Sequence, residues 1–327
     1  MVAGSIQNSD VKGFITELIL NLKFISSDMK KILLTAGIGV LLITSCKEKP
    51  PYINLSTTPV APKVDTTYVL TTVPVAEPHN ILIENFTGAT CSNCPAAHDV
   101  LHGIDSVYSG RINIVSLYIK NFSQTTPPEG FHTDFRTQGA TDIMNSVFPV
   151  VSGMPCAGID RLPLGDAGTY GNINLIGRDQ WNSIVASHIG SGDSVNLTLT
   201  STYDTGTRMA TINLKITYVE EISIPQNFSI VVVEDSFVDV QEFPTHFDTA
   251  YHFNDIYRGS VTSGAFGETV LSSIPVKTKG RVYDVTYNYH VDAAWNPAHC
   301  RLVAYVTRGA ATGGGFVYQS KQAKLKP

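Results

Sequence analysis

The spacing of apolar residues predicts a helix-containing part followed by a strand-rich part. Residues 81–83 form a short apolar run, and Ala97, either Val100 or Leu101, and Ile104 recur behind it at helical spacing. Residues 111–119 form a second apolar run. Because a strand, a helix and a strand follow one another in this order, we expect the beginning of a parallel α/β unit.

The periodicity changes after residues 190–192, which read Gly-Ser-Gly. Beyond this point apolar residues alternate with polar ones, which is typical of strands with one buried face. The alternating positions include Val195, Leu197, Leu199, Ile212, Leu214, Ile216, Tyr283, Val285, Tyr287, Tyr289 and Val291. Six or more short strands with turn residues between them predict an all-β, antiparallel immunoglobulin-like sandwich.

The N-terminal region carries a signal-like pattern. Residues 29–31, Met-Lys-Lys, precede an apolar run at residues 32–42 that is too short to span a bilayer comfortably. The run ends in Ile-Thr-Ser-Cys at residues 43–46, which resembles a bacterial lipobox, a signal whose cysteine is lipidated and becomes the new N-terminus. We therefore expect Cys46 to anchor the mature chain to a membrane. The alternative is a membrane-anchoring helix in which Cys46 is incidental.

These patterns divide the chain into four segments. Residues 1–45 are interpreted as an over-extended gene start followed by a lipoprotein signal peptide, and residues 46–78 as a proline-rich tether. Residues 79–190 hold the α/β unit, and residues 191–327 hold the β-sandwich.

Composition places the chain among globular proteins and gives no support for a nucleic-acid partner. Of its 327 residues, 43% are hydrophobic and 16% charged, so the chain can bury a core. A net charge of −5 and the lack of a long basic run argue against nucleic-acid binding. Five cysteines are few for a disulfide scaffold, so their positions carry more information than their number.

Two cysteines in a C-x-x-C spacing lie between the first apolar run and the predicted helix. Pro95 fits the first helical turn, so Cys91 would sit just before a helix N-terminus. Unpaired N–H groups and the positive dipole end favour a thiolate there. Cys91 is therefore the candidate attacking thiol and Cys94 the candidate resolving thiol. A closed structural disulfide and a metal site remain as alternatives.

At these residues the chain resembles the thioredoxin-like superfamily. Residues 151–155, Val-Ser-Gly-Met-Pro, are similar to the segment that carries a cis-proline beside the cysteine pair in such folds. The resemblance implies a thioredoxin-like α/β domain in which Pro155 belongs to the catalytic site and its loop holds a substrate strand. Many such enzymes place a buried acid six residues before the first cysteine, where this chain has Asn85. Strand alternation predicts that Glu84 points to the other face.

Two histidines follow the cysteines on the predicted helix. The chain here resembles a zinc site with two cysteine and two histidine ligands, namely Cys91, Cys94, His98 and His102. However, His102 would lie roughly 12 Å along the helix axis from Cys94, too far for one tetrahedral ion. We therefore interpret both histidines as solvated, and we expect neither a metal ion nor another cofactor.

Two further cysteines, Cys156 and Cys300, allow three interpretations. Cys156 directly follows Pro155, so it could offer a third thiol near Cys91. It could instead be a small buried core residue, because free cysteine packs as a hydrophobe. The third interpretation is a bridge between Cys156 and Cys300 that ties the two domains together.

The lipobox, tether, C-x-x-C unit and sandwich together resemble a Bacteroidetes family of roughly twenty-eight-kilodalton outer-membrane-protein-related lipoproteins. The residues that carry the resemblance are 81–88, 91–95, 153–155, Gly158, Arg161, 251–254 and Arg258. The match spans most of residues 78–325. It implies an outer-membrane location with the protein facing either the periplasm or the cell surface, and it supplies no substrate.

Two functions of different classes follow. The first is a lipid-anchored thiol–disulfide oxidoreductase that acts on thiols or disulfides of exported proteins. The second is a non-enzymatic binding or structural surface lipoprotein in which Cys91–Cys94 is a static disulfide. An exposed Cys91 sulfur would favour the first function. A buried Cys91, or an exposed aromatic patch at Tyr283, Tyr287 and Tyr289, would favour the second.

Overall fold

The helices and strands alternate early in the chain and give way to strands alone after residue 190. The computed structural model describes residues 61, 63–127, 133–165, 167–190, 192–309 and 315–327. The described residues belong to one compact unit spanning residues 58–327. The predicted signal peptide, the lipidation site Cys46 and residues 47–60 and 62 of the predicted tether lie outside the described residues.

Fourteen strands and four helices form this unit. The strands are β1 (Lys63–Val69), β2 (Ile81–Phe86), β3 (Ile112–Leu117), β4 (Cys156–Ile159), β5 (Val195–Asp204), β6 (Met209–Tyr218), β7 (Gln226–Glu234), β8 (Phe237–Glu242), β9 (Phe247–Phe253), β10 (Ile256–Ser260), β11 (Glu268–Thr269), β12 (Arg281–His290), β13 (Cys300–Arg308) and β14 (Val317–Lys324). The helices are α1 (Cys94–Val107), α2 (Gln138–Val147), α3 (Ala167–Tyr170) and α4 (Arg178–His188).

The helix predicted behind the cysteine pair is confirmed as α1. Pro95 occupies its first turn, where the missing N–H costs no hydrogen bond. Ala97, Leu101 and Ile104 are buried against the sheet, together with Trp181 of α4. The 3.6-residue spacing of these apolar positions therefore reports one buried helix face.

One eight-stranded sheet runs through both halves of the chain. Strands β14, β13, β7, β10, β3, β2 and β4 lie side by side in this order, and β11 pairs with β7. β2 and β3 are parallel, as the strand–helix–strand pattern predicts. β10 then pairs in parallel with β3, with Ile256 opposite Ser116. Strands from both sides of residue 190 thus share hydrogen bonds.

The sandwich differs in this respect from the self-contained, immunoglobulin-like domain that the sequence suggests. A four-stranded sheet, ordered β1, β12, β6, β5, packs on the β7–β13–β14 part of the large sheet. Val285 and Leu214 from one sheet meet Val232 and Leu302 from the other in this core. One layer of the sandwich therefore continues into the α/β part.

The tyrosines considered for an aromatic surface patch lie in the core of this sandwich. Tyr283, Tyr287 and Tyr289 are at most 6% exposed. They do not form the exposed patch considered from the sequence, because the alternating face of β12 points toward the opposite sheet.

A buried ion pair fixes β2 to the end of β4. Arg161 donates from Nε and Nη2 to the two carboxylate oxygens of Glu84, each at 2.7 Å. Its Nη2 also donates to the Tyr305 hydroxyl at 3.2 Å. Because both charged groups are buried, removal of either partner would leave an uncompensated charge in the interior.

His79 connects three distant parts of the chain immediately before β2. Its Nε2 lies 2.8 Å from Asp160 Oδ2, and its Nδ1 lies 2.5 Å from Asp193 Oδ2. Burial by itself lowers the pKa of His79, but hydrogen bonds and charge attraction from the two carboxylates outweigh it and raise that pKa to about 10. The imidazole is therefore a cation at neutral pH, hydrogen-bonded to both carboxyl groups.

None of the described helices combines the length and the apolar character needed to cross a membrane.

We expect the free energy of unfolding to fall between about pH 7 and pH 9 because of His79. In the unfolded chain its pKa returns to about 6.5. The stabilisation is therefore complete below that pH, and it is lost as the pH rises toward the folded-state pKa of about 10. One linked proton changes the free energy by at most about 1.4 kcal/mol per pH unit. Urea unfolding across this range measures the slope.

The matched control is His79→Gln, which keeps a polar side chain but removes the proton. We expect a flatter pH dependence for this variant. Equal slopes in the two proteins would assign the effect to other groups.

Candidate functional site

The cysteine pair is a closed disulfide at the start of α1. Cys91 and Cys94 are joined with a sulfur–sulfur distance of 2.04 Å. Cys94 is the first helical residue, and Cys91 lies in the turn before it. Both side chains are 0% exposed. The predicted position before a helix N-terminus is confirmed, whereas the accessibility that thiol exchange requires is absent.

A tight turn brings the disulfide under the neighbouring loop. The Cys91 amide donates to the Gly88 carbonyl at 3.2 Å, and the Cys94 amide donates to the Cys91 carbonyl at 3.0 Å. A β-carbon on Gly88 would lie 2.0 Å from the Gln124 carbonyl oxygen, so only glycine allows this approach. The Thr90 amide donates to the same Gln124 carbonyl at 3.1 Å, which fixes the loop over the turn.

The hairpin of β8 and β9 covers the disulfide from another side. Gln241 of β8 is 0% exposed, and its side-chain amide donates to the carbonyls of Gly88 at 3.3 Å and Cys91 at 3.2 Å. The Glu242 amide donates to the Ala89 carbonyl at 2.9 Å. These bonds attach the hairpin to the backbone of the cysteine turn itself.

An aromatic cluster anchors the same hairpin to the sheet. Phe135 packs against Phe253 of β9 with ring centroids 4.8 Å apart, and against Tyr118 at 5.1 Å. Phe237 and Tyr251 pack on the edge of this cluster. Aromatic pairs of this kind add to the energy of apolar burial, so the hairpin is held by packing as well as by hydrogen bonds.

His98 belongs to the contact between α1 and the hairpin, which corrects its interpretation as a solvated residue. Its Nε2 lies 2.8 Å from Thr87 Oγ1, and its Nδ1 lies 2.7 Å from the Tyr251 hydroxyl. Burial, followed by repulsion from His102, lowers the pKa of His98 to about 4. The ring is therefore neutral at physiological pH and serves as a hydrogen-bond bridge.

His102 is exposed, with Nε2 3.3 Å from the Asn254 side-chain amide. Within the described part of the chain, no three His, Cys, Asp or Glu side chains are grouped so that they could hold a metal ion.

Pro155 opens β4, and the Met154–Pro155 peptide bond is cis. β4 runs antiparallel to β2, with Cys156 opposite Phe86. This pairing brings the proline-led strand beside the strand that leads to Cys91. A direct role of Pro155 in holding a substrate stays a prediction.

The two remaining described cysteines are free thiols in separate cores. Cys156 packs with Phe86 and Phe148, whereas Cys300 packs in the sandwich core. Of the three interpretations, the bridge between them is wrong, and the interpretation of Cys156 as a buried core residue agrees with the structure. Burial raises the pKa of each thiol to about 12, so both stay protonated near neutral pH.

Asn85 occupies the position six residues before Cys91, where the thioredoxin-like resemblance leads us to expect an acid. Asn85 is fully buried, and its amide nitrogen lies 3.4 Å from Ser116 Oγ. Its Oδ1 has no hydrogen-bond partner. The Glu84 carboxylate is held by Arg161. Position 85 therefore carries an uncharged amide, and the Glu84 carboxylate is held in an ion pair.

Gln241 and Tyr251 are the site residues that local sequence reasoning missed. Tyr251 is among the residues that carry the family resemblance, but the resemblance assigned it no role. Gln241 lies in a strand that contains no recognisable motif. Both lie about 150 residues after the cysteines, so no local spacing links them to the disulfide.

Comparisons with known proteins agree on the family and on the fold. Residues 144–327, more than half of the chain, match the family model of outer membrane protein Omp28. HBP35 of Porphyromonas gingivalis has a similar fold, with a TM-score of 0.59, 12% identity and coverage of 78% of both chains.

The alignment with a structure from Agrobacterium tumefaciens spans 76% of this chain and 96% of the other chain at 13% identity. Its TM-score is 0.44. None of the curated proteins matches the chain in sequence.

Gln241→Ala is expected to speed reduction of the disulfide in the folded protein. The change removes two hydrogen bonds to the cysteine turn and leaves both carbonyls without this donor. A loss of about 1.4 kcal/mol from hairpin docking corresponds to an approximately tenfold higher rate. The rate is measured with dithiothreitol, followed by alkylation and mass analysis of the peptide that contains residues 91–94.

The control is Val238→Ala, an exposed position on the same strand. It should leave the rate unchanged. If Gln241→Ala also leaves it unchanged, these hydrogen bonds do not limit access to the disulfide.

Proposed function

The chain belongs to the Omp28 family of outer membrane proteins, and from this premise we propose that it is a lipid-anchored, non-enzymatic binding or structural protein of that membrane. In this proposal a thioredoxin-like unit serves as scaffold. Cys91–Cys94 is a static disulfide that stabilises the start of α1 and the turn to which the β8–β9 hairpin is hydrogen-bonded.

The strand arrangement supports the thioredoxin-like assignment. The parallel strands β2 and β3 are connected through α1, and β4 runs antiparallel on the other side of β2. Helix α4 packs on the same sheet face as α1. The fold likeness to HBP35 agrees with this arrangement but carries no activity, because the two chains share 12% of their residues.

The complete burial of both cysteines is the main observation that supports the proposed static role. Thiol–disulfide exchange requires a thiolate to approach one sulfur of the disulfide directly. Here Cys91 and Cys94 expose no surface, and the hairpin is bonded to the turn that contains them. A protein substrate could reach either sulfur only after part of the structure around the turn had moved.

The second candidate is a thiol–disulfide oxidoreductase for exported proteins, whose hairpin opens during turnover. Two observations favour it. The hairpin pairs with neither large sheet through strand hydrogen bonds. Moreover, Gln241 Oε1 is buried and has no hydrogen-bond partner among the described residues, although the Gln241 amide nitrogen donates to the Cys91 carbonyl. A disulfide has no donor for this oxygen, whereas a reduced thiol has one.

A redox titration separates the two candidates. The chain from Lys47 onward, which retains the compact unit, is equilibrated in graded glutathione or dithiothreitol buffers, alkylated and analysed by mass. We expect a Cys91–Cys94 midpoint below about −300 mV, as for structural disulfides. A reversible midpoint between about −120 and −270 mV would overturn the static role and favour the oxidoreductase.

Lipid attachment is tested separately through Cys46. In a Gram-negative host, Cys46→Ser should lose incorporation of labelled palmitate and move from the membrane fraction to the soluble fraction, because the acyl chains supply the membrane affinity. Ser56→Ala, a nearby change outside the lipobox, is the control and should remain membrane-bound. Retention of Cys46→Ser in the membrane without label would instead favour anchoring by the preceding apolar run.

A further inference from the structure

A groove of about 390 Å³ lies at the carboxyl end of β3, and the disulfide site does not use it. The loop after β3, helix α2 and residues 149–151 form its walls. Open α/β sheets commonly bind ligands beyond the carboxyl ends of their strands, and the volume falls within the range of small-molecule pockets. Its position and size therefore suit a small ligand.

The floor and one wall of the groove are apolar but only partly covered. Phe122, Met144 and Val151 are half-buried, and Val150 is 52% exposed. Covering this surface would remove apolar area from water, which favours an occupant with an apolar body.

The polar groups of the groove favour an anionic end on the same occupant. Lys120 is the only charged residue among the described residues that line it. Its ammonium makes no ion pair with a described residue, and its one described hydrogen bond is a long contact of 3.4 Å to Gln138 Oε1. Nearby Asp134 is itself paired with Arg136.

Two backbone N–H groups in the residue 149–151 wall of the groove have no described acceptor. In the described part of the chain, the backbone N–H groups of Val150 and Val151 donate no hydrogen bond. No carboxylate is among the described residues that line the groove; the nearby Asp142 and Asp134 are hydrogen-bonded to Gln138 and Arg136.

We propose that this groove binds a small amphiphilic monocarboxylate. Its apolar body lies on Phe122, Met144 and Val151, and its carboxylate is held by Lys120. This binding site extends the proposed function and does not depend on the redox state of Cys91–Cys94.

Octanoate and octan-1-ol are suitable probes, because they share an apolar chain and differ in charge. Isothermal titration calorimetry uses the chain from Lys47 onward. We expect octanoate to bind at least tenfold more tightly than octan-1-ol. Lys120→Gln should remove this preference, whereas Lys279→Gln, an exposed lysine paired with Glu220, should retain it. Equal affinities for the two probes in the unaltered protein, or no measurable octanoate binding, would overturn the proposal.

Substitutions of opposite charge at the exposed Val150 test whether octanoate binds in this groove. Val150→Asp should weaken octanoate binding about tenfold or more, and Val150→Lys should strengthen it. Thermal melts check that both variants fold. If octanoate binds both variants alike, it occupies a different surface, and the proposal is wrong.

Discussion

The parallel pairing of β10 with β3 is the constraint on which the rest of the structure depends. Ile256 lies opposite Ser116, and the Ser116 amide donates to the Asp255 carbonyl at 2.7 Å. This contact joins strands that are about 140 residues apart. It merges the α/β sheet and one layer of the sandwich into a single sheet, so neither half keeps a free edge at this junction.

The position of the hairpin over the disulfide follows from that pairing. β8 and β9 connect β7 to β10, and β10 neighbours β3, which neighbours β2. The hairpin must therefore leave and re-enter the sheet near the strands that lead into the cysteine turn. Gln241 and Tyr251 then supply the bonds to Cys91 and His98 that complete the contact.

A C-x-x-C motif indicates that thiol–disulfide exchange is chemically possible at a turn. Whether exchange occurs depends on how accessible the two sulfur atoms are. The helix N-terminus would favour a thiolate at Cys91. In this chain the turn is hydrogen-bonded to the hairpin and to the loop at Gln124, and both cysteines are buried. The same local motif is therefore compatible with a scaffold role once its surroundings are included.

The sequence by itself determined the elements whose causes are local. The helix behind Cys94, the alternating strands and the parallel strand pair follow from side-chain periodicity and from proline chemistry, which act over a few residues. Three features are visible only in the tertiary structure. They are the sheet shared by both halves of the chain, the burial of Cys156 and Cys300 in separate cores, and the burial of Cys91. These features depend on contacts between residues far apart in the chain, and no local spacing encodes which distant strands become neighbours.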